Sequence, residues 1–132
     1  MKQPVVVYEG HYQGRLPRVN EWHGTHRVGQ SARIFETTVY KRNKQDMAMG
    51  LMLTKPLMPI DFPVDALLRV RTWKRLDSDA PVKAIFDALE LAGVLKDDKL
   101  IRDFAVIRSY HHRDAVDSVV VRLTVTGMRE AE

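Results

Sequence analysis

Asp77 and Asp79 stand two residues apart, and in an extended segment that spacing turns both side chains to the same side. Two carboxylates that converge in this way repel each other unless they share a cation or one takes up a proton. A hard divalent ion such as Mg²⁺ accepts oxygen ligands and keeps several waters, so two or three carboxylates suffice. Asp98 supplies a third, beyond an intervening helical segment of about 12 residues that spans roughly 18 Å. The chain must therefore fold back for Asp98 to rejoin the pair. Lys83 follows Asp79 by four residues, which on a helix starting near Asp79 sets its ammonium on the adjoining turn. There it would neutralise a phosphate or stabilise charge that develops on one. The plainer reading is a polar turn with a capping Asp, and an i, i+4 ion pair of about 0.3–0.5 kcal/mol. A calcium-binding EF-hand does not fit. Counted from Asp77, the sixth position is Val82 where Gly is needed, and the twelfth is Ala88 where Glu is needed.

The elements that must carry these residues are legible in outline. Val5-Val6-Val7-Tyr8 is β-branched and aromatic and predicts a strand from Pro4 to Tyr8. Residues 10–30 hold four glycines and Pro17 and predict a loop-rich basic segment. Ser31 is a candidate N-cap. After it, Ile34, Phe35, Thr38 and Val39 at helical spacing predict a helix running toward Met52, with Arg33, Lys41 and Lys44 on its solvent side. Val64 to Trp73 alternates as a strand does. Pro81 suits a first helical turn, and Val82, Ile85, Phe86 and Leu89 form an apolar stripe that ends before Gly93, a candidate left-handed C′ residue. Strands are predicted over 100–110 and 118–126, joined by a hairpin turn at His111-His112-Arg113-Asp114. The order implies a small single α+β domain spanning 1–132, with a mixed sheet of about four strands and two main helices.

The chain of 132 residues has no cysteine, which excludes disulfides and thiolate zinc sites. It has no apolar run near the roughly 20 residues of a membrane helix. Its first residues lack the apolar core of a signal peptide, so the expected location is the cytoplasm, with no membrane partner. Through residue 45 there are eight Lys and Arg against three Glu, an excess larger than the net charge of +4 for the whole chain. A basic first third followed by acidic residues suits a protein that holds a polyanion and works on it with a metal. Arg15, Arg18, Arg27, His23 and His26 would then grip phosphates. Trp22 and Trp73 would either stack on bases or pack on their own core. His111-His112 reads as part of a turn, and Asp87 and Glu90 as a solvated helix face.

The run Lys74-Arg75-Leu76-Asp77-Ser78-Asp79-Ala80-Pro81-Val82-Lys83-Ala84-Ile85-Phe86-Asp87-Ala88-Leu89, continuing to Leu95-Lys96-Asp97-Asp98, resembles the RusA family of Holliday junction resolvases. That family carries a basic segment, Asp-x-Asp-Asn-x-x-Lys, a helix reading like Phe-Asp-Ala-Leu, a Gly and an Asp-Asp pair. The likeness is specific over about residues 74–101 and general elsewhere. It implies a homodimer of small α+β subunits that uses Mg²⁺ or Mn²⁺ to nick opposed strands of a four-way DNA junction, as in recombination and repair. It implies that Asp77, Asp79 and Asp98 bind the metal, that Lys83 is the active-site lysine and that Asp97 supports them. Lys74 and Arg75, with Arg15, Arg18 and Arg27, would contact DNA. Ala80 stands where the family usually has Asn, and Leu76 where it often has a basic residue. Two other functions remain open on the residues alone. One is a nuclease for flaps or forks, and the other a DNA-binding module without catalysis.

Overall fold

Strict alternation builds the centre of the fold. Val64, Ala66, Leu68 and Val70 are buried on one side of a strand, while Asp65, Leu67, Arg69 and Arg71 turn to the other. Val119, Val121, Leu123 and Val125 repeat the pattern on a second strand. The computed structural model describes residues 3–16, 23–28, 31–36, 38–73, 82–111 and 115–125. Their elements are β1 (Val5–Gln13), β2 (His23–Val28), β3 (Ser31–Glu36), α1 (Thr38–Met52), β4 (Val64–Trp73), α2 (Val82–Leu91), β5 (Ile101–His111) and β6 (Ser118–Val125). β1, β6, β4 and β5 form a four-stranded sheet in that order, in which β4 and β5 are parallel and the other neighbours antiparallel. The protein is thus a small α+β domain with a mixed sheet and two helices, as predicted. Among the described residues, no helix is long and apolar enough to cross a membrane.

Three predicted elements differ. Part of the expected loop is β2, and Ser31 opens β3 rather than capping a helix. β2 and β3 pair as an antiparallel two-stranded sheet from His23↔Glu36 to Val28↔Ser31, and α1 begins only at Thr38. Ile34 and Phe35 therefore belong to a strand, although their distance from Thr38 and Val39 mimics a helical stripe. His111 to Asp114 does not close a hairpin, because β4 lies between β5 and β6.

α1 and α2 pack on the sheet face that carries the buried residues. α2 turns in Ala84, Ile85, Ala88 and Leu89, and α1 turns in Tyr40, Met47, Ala48 and Leu51. The buried Tyr8 hydroxyl donates to the Leu51 carbonyl at 2.8 Å, which satisfies an end of α1 that has no partner in the helix. A Cβ at Gly10 would overlap that tyrosine ring, so the strand must be bare there. At the far end of the sheet, His111 Nε2 and Asp117 Oδ1 lie 2.8 Å apart with both side chains buried. Asp117 also accepts the Leu16 N–H at 3.4 Å on its carboxylate and the Gly14 N–H at 2.9 Å on its carbonyl. One residue thus ties the exit of β1 to the ends of β5 and β6.

The turn after α2 has the largest consequence for the site. Gly93, at φ +76°, donates to the Glu90 carbonyl at 3.1 Å, and Val94 donates to Leu89 at 3.0 Å. This is a Schellman termination, with the buried side chains of Val94 and Leu89 as its apolar contact. The following residues are pinned to the chain ahead of β4. Ile60 donates to Val94 at 2.8 Å, and Lys96 donates to Ile60 at 2.9 Å. A Cβ at residue 93 would meet only the Lys55 side chain, at 3.9 Å. Gly93→Ala should therefore cost only the backbone strain, about 1–2 kcal/mol, in a urea unfolding titration. An unchanged midpoint would show that the left-handed turn is not required.

Candidate metal centre

α2 presents Asp87 and Glu90, three residues apart and so on neighbouring turns of one face. The pinned turn brings Asp98 back to them. Carboxylate oxygens of Asp87, Glu90 and Asp98 all lie within 4.8 Å of one another. Asp98 opens a single 3₁₀ turn, Asp98–Leu100, that leads directly into β5. Asp97 holds this turn in place, since its Oδ1 accepts the Lys99 N–H at 2.9 Å. Asp97 is exposed and is a capping residue here, not one of the three converging groups.

Two lysines flank the acids. Lys83 lies 3.5 Å from Asp87, one helical turn on, with its own side chain exposed. Lys44 comes from α1 and lies 3.8 Å from the same carboxylate. Its ammonium is also 5.3 Å from the centre of the Tyr40 ring, and its side chain is only 13% exposed. Lys44 is therefore not on the solvent side of α1, as its spacing suggested, but at the α1–α2 contact. Burial raises the Glu90 carboxyl above its usual range, and the charges of Asp98, Asp97 and Asp87 raise it further. A hydrogen bond from the Asp98 backbone N–H works the other way.

Of the residues singled out in the sequence, Asp98 and Lys83 both reach this cluster, each beside Asp87. Asp77, Asp79, Lys74, Arg75, Arg18, Trp22 and His112 lie outside the described residues. Arg15 is exposed just past β1, where its carbonyl accepts the Tyr12 hydroxyl at 3.5 Å. Arg27 lies on β2 opposite Ala32, and His23 and His26 share that strand. Trp73 ends β4. Asp87 and Glu90 are the residues that sequence reasoning passed over as a solvated face. Their i, i+3 spacing, with a Gly turn and Asp98 after it, was the signal that could have found them.

Three carboxylates at this separation could hold a metal ion, and of the two lysines Lys83 is the exposed one. No protein-family model matches the chain, and no curated protein matches it.

The raised Glu90 carboxyl has a pH signature. A group with a raised folded-state pKa contributes stability at low pH that is lost as pH rises through that value. Ionised Glu90 thus weakens the fold at neutral pH. Glu90→Gln should melt above the wild type at pH 7 without divalent ions, and the difference should vanish below about pH 4. Millimolar Mg²⁺ should raise the wild-type melting temperature more than that of the variant. A melting difference independent of pH would contradict the electrostatic account.

Proposed function

We propose that the protein is a divalent-metal-dependent endodeoxyribonuclease that resolves four-way DNA junctions by paired nicks. The observation that carries this reading is the convergence of Asp98 with Glu90 and Asp87 beside Lys83 and Lys44. The RusA-like run from Lys74 to Asp98 supports the choice of substrate. A basic first third supports a polyanionic one.

Asp98 would hold the ion. Its partners would be Asp87 and Glu90 from α2, or Asp77 and Asp79 from the segment ahead of that helix. When bound, Mg²⁺ or Mn²⁺ would acidify a coordinated water and draw charge from the phosphate. Hydrolysis requires a water oxygen to attack phosphorus, the opposite P–O bond to break, and a proton to reach the leaving oxygen. The exposed Lys83 ammonium would offset charge on the non-bridging oxygens. Lys44, held between Asp87 and Tyr40, would position the carboxylate rather than meet DNA. Asp97 would support Asp98 through the turn it caps. Arg15, Arg18, Arg27, Lys74 and Arg75 would hold the DNA backbone. A four-way junction has near two-fold symmetry, so two opposed cuts call for a homodimer. The expected location is the cytoplasm, with DNA.

Asp98→Asn should abolish cleavage in Mg²⁺ while junction binding in EDTA survives. Asp79→Asn and Glu90→Gln then separate the two ligand sets, because the set that holds the ion should lose cleavage together with Asp98. Cleavage by Asp98→Asn at the wild-type rate would remove the metal assignment.

A second reading keeps the nuclease and changes the DNA, since Ala80 and Leu76 depart from the run that suggests junctions. Junctions should be cut at least about tenfold faster than forks or linear duplex, the margin that 1.4 kcal/mol of selectivity supplies. Equal rates on all three would favour the second reading.

A further inference from the structure

β5 stands at an edge of the four-stranded sheet. On the face toward the helices it carries Phe104, Val106, Arg108 and Tyr110, level with the buried Ala66, Leu68, Val70 and Thr72 of β4. Val106 packs against the core. The two rings do not follow it inward, since Phe104 is 49% and Tyr110 53% exposed. Each ring is nevertheless held by a neighbour. Phe104 meets the half-buried Phe86 of α2 edge to face, with the ring centres 5.3 Å apart. Arg108, also half-buried, donates to the Thr72 hydroxyl at 3.4 Å and sets its guanidinium 5.8 Å from the centre of the Tyr110 ring. The row begins beside the acidic corner. Phe86 stands one helical turn before Glu90, and Phe104 follows Asp98 by six residues, roughly 16 Å of 3₁₀ turn and strand.

We propose that this row is a track for an unpaired stretch of a DNA strand, whose bases stack on Phe104 and Tyr110 while its backbone passes Arg108. The proposal rests on the nuclease reading above and adds the form of the strand that the site takes. A single exposed aromatic residue implies nothing, because much of any protein surface is apolar. Two rings on one face with a guanidinium between them are a different matter, since base stacking and a cation together hold single strands without regard to sequence. The rings are six strand residues apart, about 20 Å, the length of roughly six stacked nucleotides. That lies within the range of single-strand sites, about 4–16 nucleotides. A duplex keeps the faces of its bases in its own stack, so rings select an unpaired strand where cations alone would not. The guanidinium in the row and the net charge of +4 favour a polyanion over an apolar protein partner.

Fluorescence anisotropy with a short labelled single strand, in EDTA so that no metal-dependent cleavage intervenes, tests the proposal. Tyr110→Ala and Phe104→Leu should each weaken binding of the single strand about fivefold or more. Binding of a duplex of the same sequence should change by less than about twofold. Tyr110→Phe and Phe104→Trp, which keep a ring, should bind the single strand as the wild type does. Thermal melts monitored by circular dichroism show whether each variant is folded, and Tyr110→Ala, at the more exposed position, serves if Phe104→Leu is not. Variants without a ring that bind the single strand as the wild type does would overturn the proposal. Equal losses on single strand and duplex would do so too, since stacking on bases would not produce them. A wild type that binds no single strand would overturn it in favour of a protein partner. Ring-dependent binding by a protein that cuts no DNA would sink the nuclease reading and leave the track standing. Metal-dependent cleavage of junctions, with single-strand binding indifferent to both rings, would do the reverse.

Discussion

Two parallel strands cannot be joined by a tight turn, and that constraint organises this protein. β4 and β5 are parallel neighbours, so the chain leaving one end of β4 must return to the other before β5 begins. α2 makes the return across the buried face of the sheet. Its apolar stripe is therefore both a core element and a spacer that sets where the next residues emerge. The Schellman turn at Gly93 stops the helix, and the bridge between Ile60 and Leu95 fixes the course of the chain beyond it. Asp98 is the first residue of the 3₁₀ turn that leads from this corner into β5. Its approach to Asp87 and Glu90 is a product of topology, backbone hydrogen bonds and one left-handed glycine.

The corner concentrates negative charge that the fold only partly compensates. Lys83 and Lys44 both lie against Asp87. Burial, and then the charges of Asp98, Asp97 and Asp87, raise the Glu90 carboxyl above its usual range. An arrangement of this kind stabilises the protein less than a neutral surface would. The half-buried Lys44 is the more consequential of the two lysines for the fold. Its ammonium lies near the ring of Tyr40 on its own helix and reaches Asp87 of α2, so the charge pair is what joins the two helices.

The two faces of the sheet divide the labour. The face under the helices holds the apolar core and ends in the acidic corner. The other face is polar at both ends and graded in charge along the strands. At the far end of the sheet, Asp117 binds the backbone of Gly14 and Leu16 and the ring of His111. It thereby holds the start of the basic segment against the same sheet that positions the acids. Its buried carboxylate meets both Leu16 and His111, so loss of that group would remove those two ties together.

Elements whose patterns are local could be read directly from the order of residues. The alternation of β4 and β6, the stripe of α2 and the stop at Gly93 all follow from spacing and backbone sterics, and they suffice for an α+β domain. The order of residues also singled out Asp98 and Lys83. It did not distinguish β2 and β3 from a loop and a helix start, because Ile34 and Phe35 satisfy either period over so short a stretch. Nor did it tell that β5 and β6 are separated by β4, since a polar turn looks the same whether the next strand is adjacent or one strand away. The company Asp98 keeps depends on how the elements pack. Asp87 and Glu90 look like a solvated helix face until the crossover returns the chain to them. Lys44 looks like a surface lysine until α1 packs on α2. The reason is that spacing records which residues share a face of one element. Which elements meet is settled by pairing and burial between segments far apart in the chain.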